Sequence, residues 1–409
     1  MFGIFRTGSR RGTMNKWKKV WGYLPVEWGT LVGTTEDVTQ RIYIRNNLDA
    51  TSIKIKFTNL YDKQPLLLEQ VTIGKIERNS GEVKQIQKVT YQGSEQISIA
   101  LEEEFYSDSI SLDLRQTNDL VIAVYCREKH EFYSVCQTWC AESWNSSFSK
   151  GNQTENLQIQ GSPTIEWFPF FANDPNICNA VFGIDSVQVL TEENVCTIAC
   201  FGDSITHMSF YFDPLQAYLY EKYPGNITLF NCGIGGNRIL YDDCYVEEIP
   251  GHGKCFGRAG IKRFAEDVYK DTDPDIIFMM EGVNDCTHGL AFHAENEVPS
   301  AAALFEGICS IIKTAHQKGS KIYISTVMPF GCYQEPFRNQ AEQIREEFNT
   351  LLRQNKDLAD GFIDLDEIVR KPEDKHFMKD GLHLGDGVHP NKEGGKQIAS
   401  ALLNKFFLQ

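Results

Sequence analysis

The sequence predicts two parts in series, an all-β sandwich of jelly-roll type followed by an α/β domain built on a parallel sheet. Two observations carry this. Between residues 28 and about 190 apolar and polar residues alternate with period two, the mark of half-buried strands. After the turn-like "TEEN" at 191–194 the pattern switches to short apolar runs separated by helix-length segments. A length of 409 residues, 42% of them apolar, is enough for two cores.

Taken in order, residues 1–19 carry six Arg/Lys and read as a basic N-terminal extension, part of it vector-derived, with Met14 a second plausible start. The adjoining "VWGYLPVEWG" is too broken by Gly, Pro and Glu to be a signal-peptide core. The sandwich is assigned to 20–193. There "SIKIKFTNL" sets Ile53, Ile55 and Phe57 on one side against Lys54, Lys56 and Thr58 on the other, and "RIYIRNN", "EQVTIGKIE" and "DLVIAVYC" alternate similarly. The α/β domain is assigned to 194–409. Its strands are "VCTIACF", "ITLFNCG", "DIIFMMEG", "KIYISTVMP" and "GFIDLDEI", and its long helices include "SAAALFEGICSIIKTAHQKG" and "RNQAEQIREEFNTLLRQ".

Composition narrows the partners. A net charge of −15 opposes binding to nucleic acid and to anionic lipid surfaces. No run of 18 apolar residues is present, so no membrane-spanning helix is expected. Twelve cysteines without an export signal suggest reduced thiols and a cytoplasmic location, and spacings such as Cys136-x3-Cys140 lack the paired Cys/His grouping of a zinc site. No metal and no cofactor are expected, and the oligomeric state is left open.

Parallel sheets place ligands at the carboxyl ends of their strands, so those ends are where chemistry is sought. The first strand leads into Gly202-Asp203-Ser204, the second into Gly233-Ile234-Gly235-Gly236-Asn237-Arg238, and the third into Gly282-Val283-Asn284-Asp285. After the last strand comes "KDGLHLGDGVHPN", which spells Asp-Gly-aliphatic-His twice. A hydroxyl, a glycine turn, a side-chain amide and an imidazole on one rim are the parts needed for acyl transfer. Ser204 supplies the nucleophile, with its own N–H, that of Gly236 and the amide of Asn284 as oxyanion donors. His389 is the base and Asp386, three residues earlier, orients it as on one helical turn. Asp203, His207, Arg238 and His383 are candidate substrate contacts. Asp203 could equally be a turn-stabilising residue, Arg238 could equally pair with a carboxylate, His383 could be a plain loop histidine, and Asp285 is read as structural. His130, His252, His288, His293, His316 and His376 are given no function.

The segments "FGDSIT", "NCGIGGNRIL", "MEGVNDC" and "GDGVHPNKEGGKQIA" resemble the four blocks of the SGNH/GDSL hydrolase superfamily, matching its Ser, Gly, Asn and His at Ser204, Gly236, Asn284 and His389. The stretches "KFTNLYDKQPLLLEQVTI", "RAGIKRFAEDV" and "AHQKGSKIYISTVMPFG" are similar to a two-domain bacterial esterase subgroup carrying an N-terminal β-sandwich. The resemblance implies a flavodoxin-like three-layer αβα domain and metal-free ester hydrolysis. It also decides between the two histidines: only Asp386–His389, trailed by Pro390-Asn391 and Gly394, fits the family's histidine block. Departures are His207-Met208 after Thr206 and the inserted "YDDCYVEEIPGHGKCFG" (241–257), expected to line the rim with acidic and aromatic groups.

The favoured function is removal of short acyl groups, acetyl above all, from a carbohydrate or another small hydroxylated molecule. Two alternatives stand beside it: a lysophospholipase or lipase using "YSVCQTWCAESW" and "IEWFPFF" as an acyl groove, stretches that could equally be core and interdomain packing, and a glycan-binding module with an inactive second domain.

Overall fold

The computed structural model describes residues 15–156, 161–173, 179–292, 294–331 and 337–407. The chain divides into two compact units at Cys196/Thr197, with Leu219–Phe230 grouped with the N-terminal one.

The N-terminal unit holds two five-stranded antiparallel sheets. One is built on the path Asn15–Gly22, Ile184–Glu192, Ala50–Asn59 and Glu103–Tyr106, with Ile110–Leu114 also pairing to the third of these. The other runs Trp144–Lys150, Val38–Ile44, Asn118–Cys126, Gln70–Glu77 and Glu82–Lys88. Ile53, Ile55, Phe57 and Val187 of the first share one core with Ile42, Ile73, Ile122 and Phe148 of the second. That is a sandwich packed on its period-two apolar faces.

One sequence expectation does not hold in this unit, and one open choice is narrowed. Residues 15–19 are not part of a basic extension: they open the strand Asn15–Gly22, in which Lys18 and Lys19 are buried. Their long aliphatic stems explain how lysines serve in a strand. Residues 1–14 lie outside the described residues. The aromatic stretches offered as an acyl groove are mostly core: Trp144, Phe168 and Phe171 are buried among the sandwich's apolar residues, with Trp139, Trp167 and Phe170 packed against them.

The five runs read as parallel strands all form, as Cys196–Gly202, Ile227–Gly233, Ile276–Met280, Lys321–Ser325 and Gly361–Ile363. They make one sheet in the order second, first, third, fourth, fifth, and the first/third, third/fourth and fourth/fifth pairs are parallel. Between and after them run α1 (Ser204–His207), α2 (Phe212–Lys222), α3 (Gly260–Tyr269), α4 (Val283–Ala291), α5 (Ala301–Gln317), α6 (Phe337–Gln354), α7 (Leu365–Val369) and α8 (Lys392–Phe406). α5 starts where Ser300 caps Ala303 N–H, and buries Leu304, Ile308, Ile311 and Ala315 at helical spacing. α3, α4, α5 and α6 pack as one group and α7 against α8 as another, giving the three-layer αβα arrangement. The strands end where Ser204, Gly236 and Asn284 begin their loops and helices, and this positions the site.

Candidate active site

Ser204 is the first residue of α1, a single turn that the chain enters directly from the first strand. Asp203 holds this turn. Its Oδ1 accepts the Ile205 N–H at 3.0 Å and its carbonyl accepts those of Thr206 and His207. The cap fixes the corner, so the Ser204 side chain leaves the sheet at a defined angle. Asp203 itself is 1% exposed. Its side chain thus serves the turn, the structural of its two readings. Burial raises its carboxyl to about 7, against the Ile205 N–H and the charge of His389, which lower it.

The hydroxyl of Ser204 donates to Nε2 of His389 at 2.8 Å, a contact between residues 185 apart in the chain. His389 Nδ1–H donates in turn to Asp386 Oδ2 at 2.6 Å. The other carboxylate oxygen, Oδ1, accepts the N–H groups of Val388 and His389 at 2.9 and 3.0 Å. Partial burial alone would raise the Asp386 carboxyl, but the His389 bond and charge, with the two backbone N–H groups, bring it down to about 2. The carboxylate thus stays ionised and fixes the tautomer with Nε2 as acceptor. One expectation changes: residues 379–391 are a loop, so the Asp386–His389 contact comes from an Asx-type turn and not from a helical turn.

The first Asp-Gly-x-His copy has a different place. His383 Nδ1 accepts the N–H groups of Gly385 and Gly387 at 3.1 and 3.2 Å, and Asp380 pairs with Lys371. His383 therefore organises the loop that carries the second copy. Asn391 completes that loop. Its Nδ2 donates to the carbonyls of Gly381 and His383, while its Oδ1 caps α8 by accepting from Glu393 and Gly394.

On the second strand's loop, Gly236 has φ +75°, and a Cβ there would lie 2.0 Å from the Phe256 ring. Only glycine fits, because the backbone conformation and the space both exclude a side chain. Asn284, buried in the first turn of α4, donates through Nδ2 to the Asn237 carbonyl at 2.9 Å, which aims its amide at the same loop. Among the described residues the N–H groups of Ser204 and Gly236 make no hydrogen bond.

The remaining expected contacts are internal. Arg238 is 1% exposed, pairs with Glu297 at 2.8 Å and donates to the Asp242 carbonyl, so the carboxylate pairing that the sequence left open is present. His207 is buried, and its Nδ1 accepts the Gly235 N–H at 3.1 Å, linking α1 to the glycine loop. Asp285 accepts the N–H groups of Ile239 and Leu240, the structural role expected of it. In the 241–257 insertion Asp243, Tyr245, Glu247 and Glu248 are exposed, whereas Asp242 holds Ala259 N–H and Lys262. His293 lies outside the described residues.

Sequence reading missed two buried groups. Arg263 of α3 reaches between the first two strand ends, and Glu281, just past the third strand, is wholly enclosed with its nearest cation Arg263 at 3.7 Å. Burial drives the Glu281 carboxyl well above the usual carboxylate range, against the Arg263 charge. Arg263 stands outside the four motif blocks, in the similar segment "RAGIKRFAEDV", and Glu281 stands inside "MEGVNDC", where its place three residues before Asn284 is the signal. The ten described cysteines are free thiols, and no described helix is long and apolar enough to cross a membrane.

Known proteins were compared with this chain by sequence and by structure. No curated protein sequence matches the chain. Among solved structures, the acetyl xylan esterase AlAXEase is 20% identical over 52% of this chain and 100% of its own, with a TM-score of 0.38. A catalytic mutant of the acetylxylan esterase Axe2 from Geobacillus stearothermophilus is 19% identical over 52% of this chain and 94% of its own, at 0.39. A GDSL-like lipase from Bacteroides thetaiotaomicron is 16% identical over 51% and 86%, at 0.35. Residues 200–397, which include Ser204, Gly236, Asn284 and His389, match the model of the GDSL-like Lipase/Acylhydrolase family. That stretch is a GDSL-like lipase/acylhydrolase domain, and with it the chain is a serine ester hydrolase.

Proposed function

We propose that the protein removes short acyl groups, acetyl above all, from a carbohydrate or another small hydroxylated molecule through an acyl-enzyme. The observation that carries the chemistry is the hydrogen-bonded chain from Ser204 through His389 to Asp386. Ser204 Oγ attacks the ester carbonyl while His389 Nε2 takes its proton. The imidazolium formed is held by Asp386, whose carboxyl is too acidic to accept that proton. The carbonyl oxygen becomes an oxyanion facing the N–H groups of Ser204 and Gly236 and the Asn284 amide. Collapse expels the alcohol, which receives the proton from His389. Water, activated by the same base, then hydrolyses the acyl-serine and restores the hydroxyl.

The acyl preference is supported by subtraction. The aromatic segments that could have formed a long acyl groove are mostly spent in or against the sandwich core. The domain assignment to 194–409 for catalysis and 20–193 for the accessory sandwich, and a substrate that is neither nucleic acid nor membrane, complete the reading. A p-nitrophenyl ester series from acetate to decanoate, run beside acetylated oligosaccharides, tests it. Activity should peak at acetate and extend to the acetylated sugars; a peak at eight carbons or more would favour the lipase reading.

A further inference from the structure

Arg263 is 2% exposed and sits on α3, outside the four motif segments. Its guanidinium reaches three pieces of chain at once. Nη2 donates to the carbonyl of Gly202 at 2.9 Å, two residues before Ser204. Nη1 donates to the carbonyl of Cys232 at 3.0 Å, at the end of the second strand, and to Asp267 at 2.8 Å. Nε donates to Oδ1 of Asn237 at 2.7 Å, the residue next to Gly236. Asn237 passes the constraint on in two directions. Its Nδ2 donates to the carbonyls of Phe256 and Arg258, and its own carbonyl accepts the Asn284 amide at 2.9 Å. The Phe256 ring so held is the one that closes the space over Gly236.

We infer that Arg263 is a positioning residue for the oxyanion donors: one guanidinium fork ties the segments bearing Ser204 and Gly236 directly, and that bearing Asn284 through Asn237. The inference rests on the reaction proposed above. Its physical basis is that oxyanion stabilisation depends on donors being fixed before charge develops, and that small displacements of such donors cost rate while leaving ground-state binding alone. A planar guanidinium directs its N–H groups at fixed angles to one another. Lysine has the charge but not the fork, so it cannot hold Gly202, Cys232 and Asn237 together. Asp267, one helical turn on, pairs with the same guanidinium at 2.8 Å and balances its charge, and its carbonyl accepts from the Cys232 thiol at 3.5 Å.

The experiment compares Arg263→Lys, Asn237→Ser and Ser204→Ala with the wild-type chain on p-nitrophenyl acetate, measuring kcat and KM separately, melting temperature, and inhibition by a boronic acid that forms a tetrahedral adduct on serine. Arg263→Lys should lower kcat 10- to 100-fold with KM within about twofold, and weaken boronate inhibition by a similar factor. Asn237→Ser, which leaves the arginine in place and cuts its link to the Gly236 and Asn284 segments, should do the same to a smaller degree, and it decides the question if Arg263→Lys does not fold. A folded Arg263→Lys or Asn237→Ser enzyme with kcat within twofold of wild type would overturn the inference while the proposed reaction stands. An active Ser204→Ala enzyme would instead overturn the reaction, and the inference with it.

Discussion

His383 Nδ1 accepts the Gly387 N–H at 3.2 Å, so the first Asp-Gly-x-His copy braces the backbone from which the second presents its base. Two copies of one short motif thus divide the labour, one building the loop and the other meeting Ser204.

This division is testable with single substitutions. His389→Ala should be as damaging as Ser204→Ala, and the double variant no worse than either, because nucleophile and base serve one step. His383→Ala should retain most of the rate on a small activated ester, with a lower melting temperature from the two lost loop bonds. Kinetics of the four variants on p-nitrophenyl acetate give the check; an inactive His383→Ala beside an active His389→Ala would reverse the assignment.

Ser204→Ala should abolish turnover and labelling by a serine-directed phosphonate with little change in melting temperature. The corner is fixed by Asp203 and the backbone, not by the hydroxyl. Retention of hydrolysis within tenfold of wild type would remove Ser204 as nucleophile.

Asn284→Ala should lower kcat by roughly 10²–10³, the usual effect of deleting one oxyanion donor. Because its amide also holds the Asn237 carbonyl, some of that loss would come from the loop relaxing. An unchanged kcat would place Asn284 outside the reaction.

The pH dependence of stability offers a separate test. Asp203 has a folded-state carboxyl raised by burial to about 7, above the ordinary value of about 3.9 for an unfolded aspartate. A raised acid favours the fold while it is protonated, so its contribution is fully present below about pH 3.9 and is lost as pH rises through about 7. Asp203→Asn keeps an acceptor for the Ile205 N–H and cannot ionise. It should raise the melting temperature at pH 8 relative to wild type and give little gain at pH 4; equal effects at both would show that Asp203 is not buried against ionisation.

Much of the fold and the site is legible in the sequence because local pattern and function coincide at strand ends. The run "VCTIACF" must be a buried strand, and the residues just beyond a buried parallel strand face the ligand rim, so Ser204, Gly236 and Asn284 can be named from period and position. The choice of His389 over His383 needs the trailing Pro390-Asn391, which the structure explains by Asn391 capping α8. The features hidden from sequence depend on distant backbone. Arg263 binds carbonyls 61 and 31 residues away, and no residue-type pattern marks a carbonyl. Arg238 stays undecided from sequence because its partner Glu297 stands in a separate segment. Lys16, Lys18 and Lys19 resemble a solvated tail because charge conceals a strand whose pairing partner lies near residue 190.

The 185 residues between Ser204 and His389 have a consequence for how the activity comes into being. The hydroxyl is made 185 residues before its base, which stands on the loop that precedes α8. A chain that has not yet reached residue 389 carries a serine without the imidazole that takes its proton and is chemically inert. Such long-range closure is slow compared with forming local helices and turns. Hydrolysis therefore announces that the last strand, the loop and α8 have all docked, and during refolding it should return after the helical signal rather than with it.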